Sequence, residues 1–200
     1  MSKLKEDFYQ RENVLAISRD LLGKVLCTNF QGELTSGIIV ETEAYAGVTD
    51  KASHAHGGKR TRRTEIMYTN GGIAYIYLCY GIHHLFNIVT NKENIPHAIL
   101  IRAIEPKNGI EFMLRRREKK KLDHSLSSGP GSTSQSLGLT IKHSGTPLTN
   151  NLIWVEDQSF HIQNSAICTK ARVGVKYAEE DSLNPWRFQI ANNPWVSPAS

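Results

Sequence analysis

The segment from Ile73 to Val89 is rich in Ile, Tyr, Leu, Phe and Val and is interrupted near its middle by a single glycine, Gly81. β-Branched and aromatic side chains fit a pleated surface, and a lone glycine between two such runs marks a reversal. The segment predicts a β-hairpin turning around Tyr80 to His83, which commits this part of the chain to antiparallel pairing. Lys24 to Phe30 and Leu34 to Glu43 read as strands joined at Gln31-Gly32, and Ala98 to Ile104 reads as another. Within these apolar runs stand Glu43, Asn87 and Arg102, with several tyrosines. Strands normally bury hydrocarbon, so polar groups there need partners. The combination suggests a pocket for a flat, polar ring.

Other segments fill in the class. Val14, Ile17, Leu21 and Leu22 recur at helical spacing, and Gly23 follows as a stop. Gly109 to Lys121 reads as a helix with Ile110, Met113 and Leu114 on one side and a basic tail. Ser127 to Thr133 is a loop that could start a helix through Ser136-Leu137. Asn151 to Val155, Phe160 to Ile167 and Trp186 to Ile190 read as later strands. Helices at the edges with mostly antiparallel strands between short turns favour an α+β fold over a doubly wound sheet. The 200 residues show no internal repeat and are expected to form a single domain over 1–200.

The net charge of +5 favours an anionic partner, although solubility alone is an equal reading. Cys27, Cys79 and Cys168 are odd in number and far apart, which argues against a disulfide framework or a zinc site. The polar start of the chain has no signal-peptide core, and no apolar run reaches membrane-spanning length. The chain reads as intracellular, soluble and not secreted.

Each candidate site residue has a bland reading beside the functional one. Glu41 and Glu43 lie two apart and share a strand face; they are solvated acids, or one is a general base beside an aromatic floor. Tyr75 and Tyr77 share a face as core tyrosines or as stacking platforms. Tyr80, at the hairpin tip, has no clear core role and could act as a wedge in a nucleic-acid stack. Asn87 and Arg102 are buried groups bonded to backbone, or site residues; an arginine near Glu43 would keep the acid ionised. The stretch from Gly47 to Asn70 has little periodicity and holds His54, His56, Lys59, Arg60, Arg62 and Arg63. His54 and His56 with Glu43 are too few for a metal shell. Arg115 to Arg117 and Lys119 to Lys121 read as a solvated face that adds phosphate attraction at most.

The matching pieces, in consistent order over nearly the whole chain, are Val40-Glu-Thr-Glu-Ala-Tyr45, His54 with Gly57-Gly58, Met67, Gly72, Tyr75-Ile-Tyr77, Tyr80-Gly81, Asn87, Leu100-Ile-Arg102-Ala and Glu105-Pro106. They continue through Ser128-Gly-Pro-Gly131, Arg172-Val-Gly174 and Pro194-Trp-Val196. On these residues the chain resembles the alkyladenine (3-methyladenine) DNA glycosylases. The resemblance implies a single compact domain, a curved antiparallel sheet and a protruding hairpin that inserts into DNA. It implies Glu43 as the base that activates water, with Arg102 and the carbonyl of Val196 positioning that water. Tyr45 would stack on one face of a flipped base, His54 and Tyr77 on the other, and Asn87 would disfavour guanine. Tyr80, with Gly81 in the turn, would fill the gap in the duplex, and Lys59, Arg60, Arg62 and Arg63 would meet phosphates. The implied partner is double-stranded DNA bearing alkylated or deaminated purines such as 3-methyladenine and hypoxanthine. The implied enzyme is a monofunctional hydrolase acting as a monomer, with no metal or organic cofactor, in a cytoplasmic, bacterial-like setting. The chain departs from the family pattern at Thr61 to Ile66 and at Ser132, where family members often carry a basic residue.

Overall fold

The computed structural model describes residues 2–198. In chain order its elements are β1 (Ser2–Lys3), α1 (Glu6–Tyr9), α2 (Val14–Asp20), β2 (Val25–Phe30) and β3 (Glu33–Tyr45). Then come β4 (Ala74–Cys79), β5 (His83–Thr90), β6 (His97–Asn108), α3 (Ile110–Arg116) and α4 (Pro130–Ser136). β7 (Ile153–Asp157), β8 (Ile167–Lys170) and β9 (Arg187–Ile190) follow. Short 3-10 turns punctuate the long connection between β3 and β4.

Local chemistry explains these boundaries. Asn13 caps α2 by accepting from the Ala16 amide at 3.0 Å, and the helix gives way to Gly23 at φ +82. Pro130 occupies the first turn of α4, where its missing N–H is not needed. Gly109 turns the chain from β6 into α3 at φ +69, and a Cβ there would lie 2.1 Å from the Leu34 carbonyl oxygen. No other residue fits so close to that backbone.

All strand pairs are antiparallel, in the order β1-β7-β2-β3-β6-β5-β4. β3 changes partners along one edge. Glu33 to Ile38 pair with β2, and Glu41 to Glu43 pair with β9, which also pairs β8. Around this handover the β3–β6 register skips Val40 on one strand, between Ile39 and Glu41, and Arg102 on the other, opposite the step from Glu41 to Thr42. Such bulges bend a strand and re-aim the extra side chain.

The sheet has two chemically distinct faces. Ile39, Ala44, Phe86, Ile88, Ile99, Ile101 and Phe188 join Ile17 and Leu21 in the main core. Helices α2, α3 and α4 pack on β3, β5 and β6. Each large apolar side chain buried there stabilises the fold by roughly 1.5–3 kcal/mol. Period-two alternation sends Glu43, Tyr45, Tyr75, Tyr77, Asn87 and Leu100 to the opposite face.

Two sequence expectations need correction. Phe160 to Ile167 is not a strand: the segment includes a 3-10 turn at Asn164–Ala166, and pairing begins at Ile167. Its apolar residues cover neighbours instead. Ile162 lies over Gly23, and the Lys107 ammonium stands 4.9 Å from the Phe160 ring. The helix expected over Gly109 to Lys121 ends at Arg116, and Glu118 turns the chain at φ +53. Arg117 there donates to the carbonyls of Leu126 and Ser125, tying the basic segment to the turn that leads to α4. Among the described residues no helix is long and apolar enough to cross a membrane.

Candidate active site

A row of side chains crosses the sheet on its polar face: Arg187 in β9, Glu43 in β3, Leu100 in β6, Asn87 in β5 and Tyr75 in β4, each opposite the next. Above it lies a cavity of about 420 Å³ walled by Tyr45, His54, Tyr75, Tyr77, Asn87 and Arg102. Val173, Gly174 and Val175 close a further side. Four aromatic rings and a few convergent polar groups suit a planar, polar ligand.

Glu43 is fully buried. Its Oε1 accepts from the Val173 amide at 2.8 Å and stands 3.3 Å from Arg102 Nη1; its Oε2 accepts from the Tyr45 hydroxyl at 2.8 Å. Arg102 faces both acids of the strand, donating from Nε to Glu41 Oε1 at 2.9 Å. Glu41 also accepts from Arg187, from Gln189 and from both the amide and hydroxyl of Ser197. Burial works against the Glu41 charge, but Arg102, Ser197 and Gln189 outweigh it and hold its carboxyl below the usual range. Burial likewise opposes charge on Arg102, and Glu43 and Glu41 together raise its pKa. The two acids thus divide the work. Glu41 fixes the arginine, and Glu43, which does not itself line the cavity, bonds three residues that do: Tyr45, Arg102 and Val173.

The aromatic walls have distinct supports. Arg172 lies 4.9 Å from the centroid of Tyr45 and the same distance from Trp186. Burial first, and the Glu43 charge next, push the Tyr45 phenol well above its ordinary pKa. Across the cavity His54 meets Tyr77 edge to face at 4.6 Å, and His54 Nδ1 is 2.8 Å from the Tyr75 hydroxyl. Burial, with lesser help from Arg63 and Lys59, lowers the His54 pKa to about 4, so the ring is neutral at physiological pH. The Asn87 amide nitrogen donates to the carbonyls of Tyr75 and Leu85 at 3.2 Å each. The oxygen of that amide is what it can offer a ligand.

Beside the cavity, the hairpin reverses through Tyr80 at φ +50 and Gly81 at φ +74, with the Ile82 amide bonded to Cys79. Both central φ values are positive, as in the primed turns that match strand twist. Tyr80 is 88% exposed and Ile82 71%, with Leu78 also exposed. An apolar tip of this kind is normally covered by something. Lys59, Arg60, Arg62 and Arg63 are exposed on the neighbouring loop. Arg60 is already paired with Glu65 and stacked on Tyr68, whereas Arg63 lines the cavity.

The structure thus gathers Glu43, Arg102, Tyr45, His54, Tyr77 and Asn87 in one place, with Tyr80 and Arg63 at its rim. Val196 is half-buried and does not line the cavity; its neighbour Ser197 is bonded to Glu41 and Arg102. His56 is exposed, and among the described residues no three His, Cys, Asp or Glu converge as a metal would require. Tyr75, which the sequence offers as a core or stacking tyrosine, also enters the site, as do Asp50, Arg172 and Tyr177 around it. Tyr75 shares the strand parity of Tyr77, which was a usable signal. The buried pair Asp50–Arg172 and the wall residue Tyr177 left no periodic trace.

Fold and cavity together define an antiparallel α+β protein with a buried ion-paired acid behind an aromatic-walled slot. The chain belongs to the methylpurine-DNA glycosylase family, whose model matches residues 7–194. It is 46% identical over 188 residues to a Chlamydia felis protein named for 3-methyladenine DNA glycosylase activity, covering 94% of this chain and 95% of that one. Similarly named proteins of Desulfitobacterium hafniense and Clostridium perfringens are 42% and 41% identical, over 98% of this chain and 99% and 98% of theirs. The chain is accordingly a DNA glycosylase, a base-excision enzyme that acts on DNA.

Proposed function

We propose that this enzyme removes alkylated and deaminated purines, such as 3-methyladenine and hypoxanthine, from duplex DNA by hydrolysis, leaving an abasic site. The observation that carries this reading is the buried ion pair between Glu43 and Arg102, in which Arg102 lines an aromatic cavity and Glu43 lies directly behind its wall, bonded to the lining residues Tyr45 and Val173. A base inside a duplex is out of reach, so the nucleotide rotates into the cavity at a cost of roughly a few kcal/mol. Tyr80 offsets part of that by filling the gap, and the basic loop meets the backbone.

In the cavity the base lies between Tyr45 and the pair Tyr77 and His54. Glu43 takes a proton from the attacking water and stabilises positive charge developing on the sugar as the glycosidic bond breaks. Arg102 helps to hold that water, and the Val196 carbonyl is the second group proposed for this task. Water rather than a lysine attacks, so the enzyme is monofunctional. A cationic base such as 3-methyladenine leaves readily and stacks well on tyrosine. With its amide nitrogen committed to backbone, Asn87 excludes guanine by crowding the exocyclic amine. The enzyme needs no metal and acts as a monomer within a single domain in the cytoplasm.

The test is incubation with duplexes carrying hypoxanthine or 3-methyladenine. Alkali-labile sites are expected from the parent protein and none from Glu43→Gln, which should still bind the lesion. Tight binding with intact strands from the parent protein would sink the hydrolytic reading.

A further inference from the structure

One wall residue is engaged at both ends. The Tyr45 ring lines the cavity, while Arg172, which does not line it, stands over that ring at 4.9 Å. The Tyr45 hydroxyl donates to Glu43 Oε2 at 2.8 Å. The other carboxylate oxygen is held by the Val173 amide at 2.8 Å, with Arg102 at 3.3 Å. One oxygen of Glu43 is thus oriented by backbone and an ion pair, the other by the stacking residue itself. The charged and titratable groups that face this pair are Arg102 from β6, Tyr77 from β4, Arg187 from β9, which is the cross-strand neighbour of Glu43, and Arg172 from the segment preceding β9. Arg102 and Arg172 are each compensated by an acid, Glu41 and Asp50.

A ring that served as a stacking floor alone would need no hydroxyl, because phenylalanine presents the same face. Resting on the hydrolytic reading of Glu43, we propose that the Tyr45 hydroxyl is a positioning group for the general base. It sets the carboxylate rotamer and shares its charge. The surface that receives the base and the carboxylate that activates water then move as one unit. Burial and the Glu43 charge keep the phenol protonated through the working pH range, so it remains a donor throughout.

The test is Tyr45→Phe, assayed in single turnover on a duplex carrying 3-methyladenine after subtraction of enzyme-free release. This base is already cationic and leaves without an acid, so the rate reports activation of the water rather than protonation of the leaving group. Lesion affinity should stay within about twofold, and excision at pH 7 should fall about tenfold. A rate loss with affinity retained is what a misoriented base produces and a weakened stacking floor does not. An unchanged rate would overturn the proposal, and so would a loss confined to affinity. Glu43→Gln run alongside separates the two ideas. If that variant still excises, the hydrolytic reading fails; if it is inactive while Tyr45→Phe matches the parent, the role of the hydroxyl alone fails.

Discussion

Asp50 clamps the Arg172 guanidinium through both carboxylate oxygens, at 2.6 and 2.9 Å, and neither side chain reaches solvent. Arg172 further donates to the carbonyls of Ala44 and Asp181, and Asp50 accepts from the amides of Ala46 and Ala52. The pair ties the exit of β3 to the segment that carries Val173 to Val175, two sides of the same cavity. Removing one partner strands a buried charge. Arg172→Met or Asp50→Ala should cost about 3–5 kcal/mol, seen as a lower urea midpoint at unchanged slope. The double variant should lose less than the sum of the two.

Glu41 offers a second, more distant lever on the chemistry. Its charge is stabilised in the fold, so its folded pKa lies below the unfolded value of about 4.3. That contribution is present above the unfolded value and is lost as pH falls through the folded one. Glu41→Gln should therefore lower stability at neutral pH and soften the acid unfolding limb. It should also slow excision about tenfold or more by freeing Arg102, with lesion affinity little changed. Thermal melts across pH 3 to 7 and single-turnover rates check both halves.

His54 works in the same direction on stability, although it is the neutral form that the fold favours. Its folded pKa of about 4 lies below the ordinary 6.5, so the unfolded chain takes up a proton first as pH falls. Stability should decline between pH 6.5 and 4 by on the order of 3 kcal/mol and then level off. His54→Gln, which carries no titrating ring, should flatten that part of the melting curve.

Tyr80 holds a left-handed backbone that favours glycine. Tyr80→Gly should leave stability unchanged or raise it by up to about 1 kcal/mol while weakening binding to a lesion-bearing duplex. A gain in stability with unaltered lesion affinity would contradict the wedge role.

The loop arginines should differ in their salt response. Lys59 and Arg62 are exposed and form no ion pair with the described residues, whereas Arg60 is bound to Glu65. Arg62→Ala should reduce the slope of log affinity against log salt by about 0.9, and Arg60→Ala by less. Titrations at several salt concentrations would separate them.

How much of this was legible beforehand follows from the range of the interactions. The turns at Gln31-Gly32 and Tyr80-Gly81 show in the sequence because backbone sterics act over a few residues. The shared face of Glu41, Glu43 and Tyr45 shows because strand alternation is local. The run at Phe160 misled because an apolar segment can cover a neighbour as well as pair with one. The handover of β3 from β2 to β9, and the union of Asp50 with Arg172, join positions far apart in sequence. Composition and periodicity carry no record of such pairs. The damaged purine came from family resemblance, never from spacing.

The handover has a consequence for synthesis. Glu41 and Glu43 acquire their β9 neighbours, and Glu41 its Ser197 donors, from residues translated well over a hundred positions later. A nascent chain that already displays the hairpin tip and the basic loop still lacks the β9 partner of β3. Ribosome-held intermediates therefore carry the loop and the hairpin before the hydrogen-bond network around Glu41 can close.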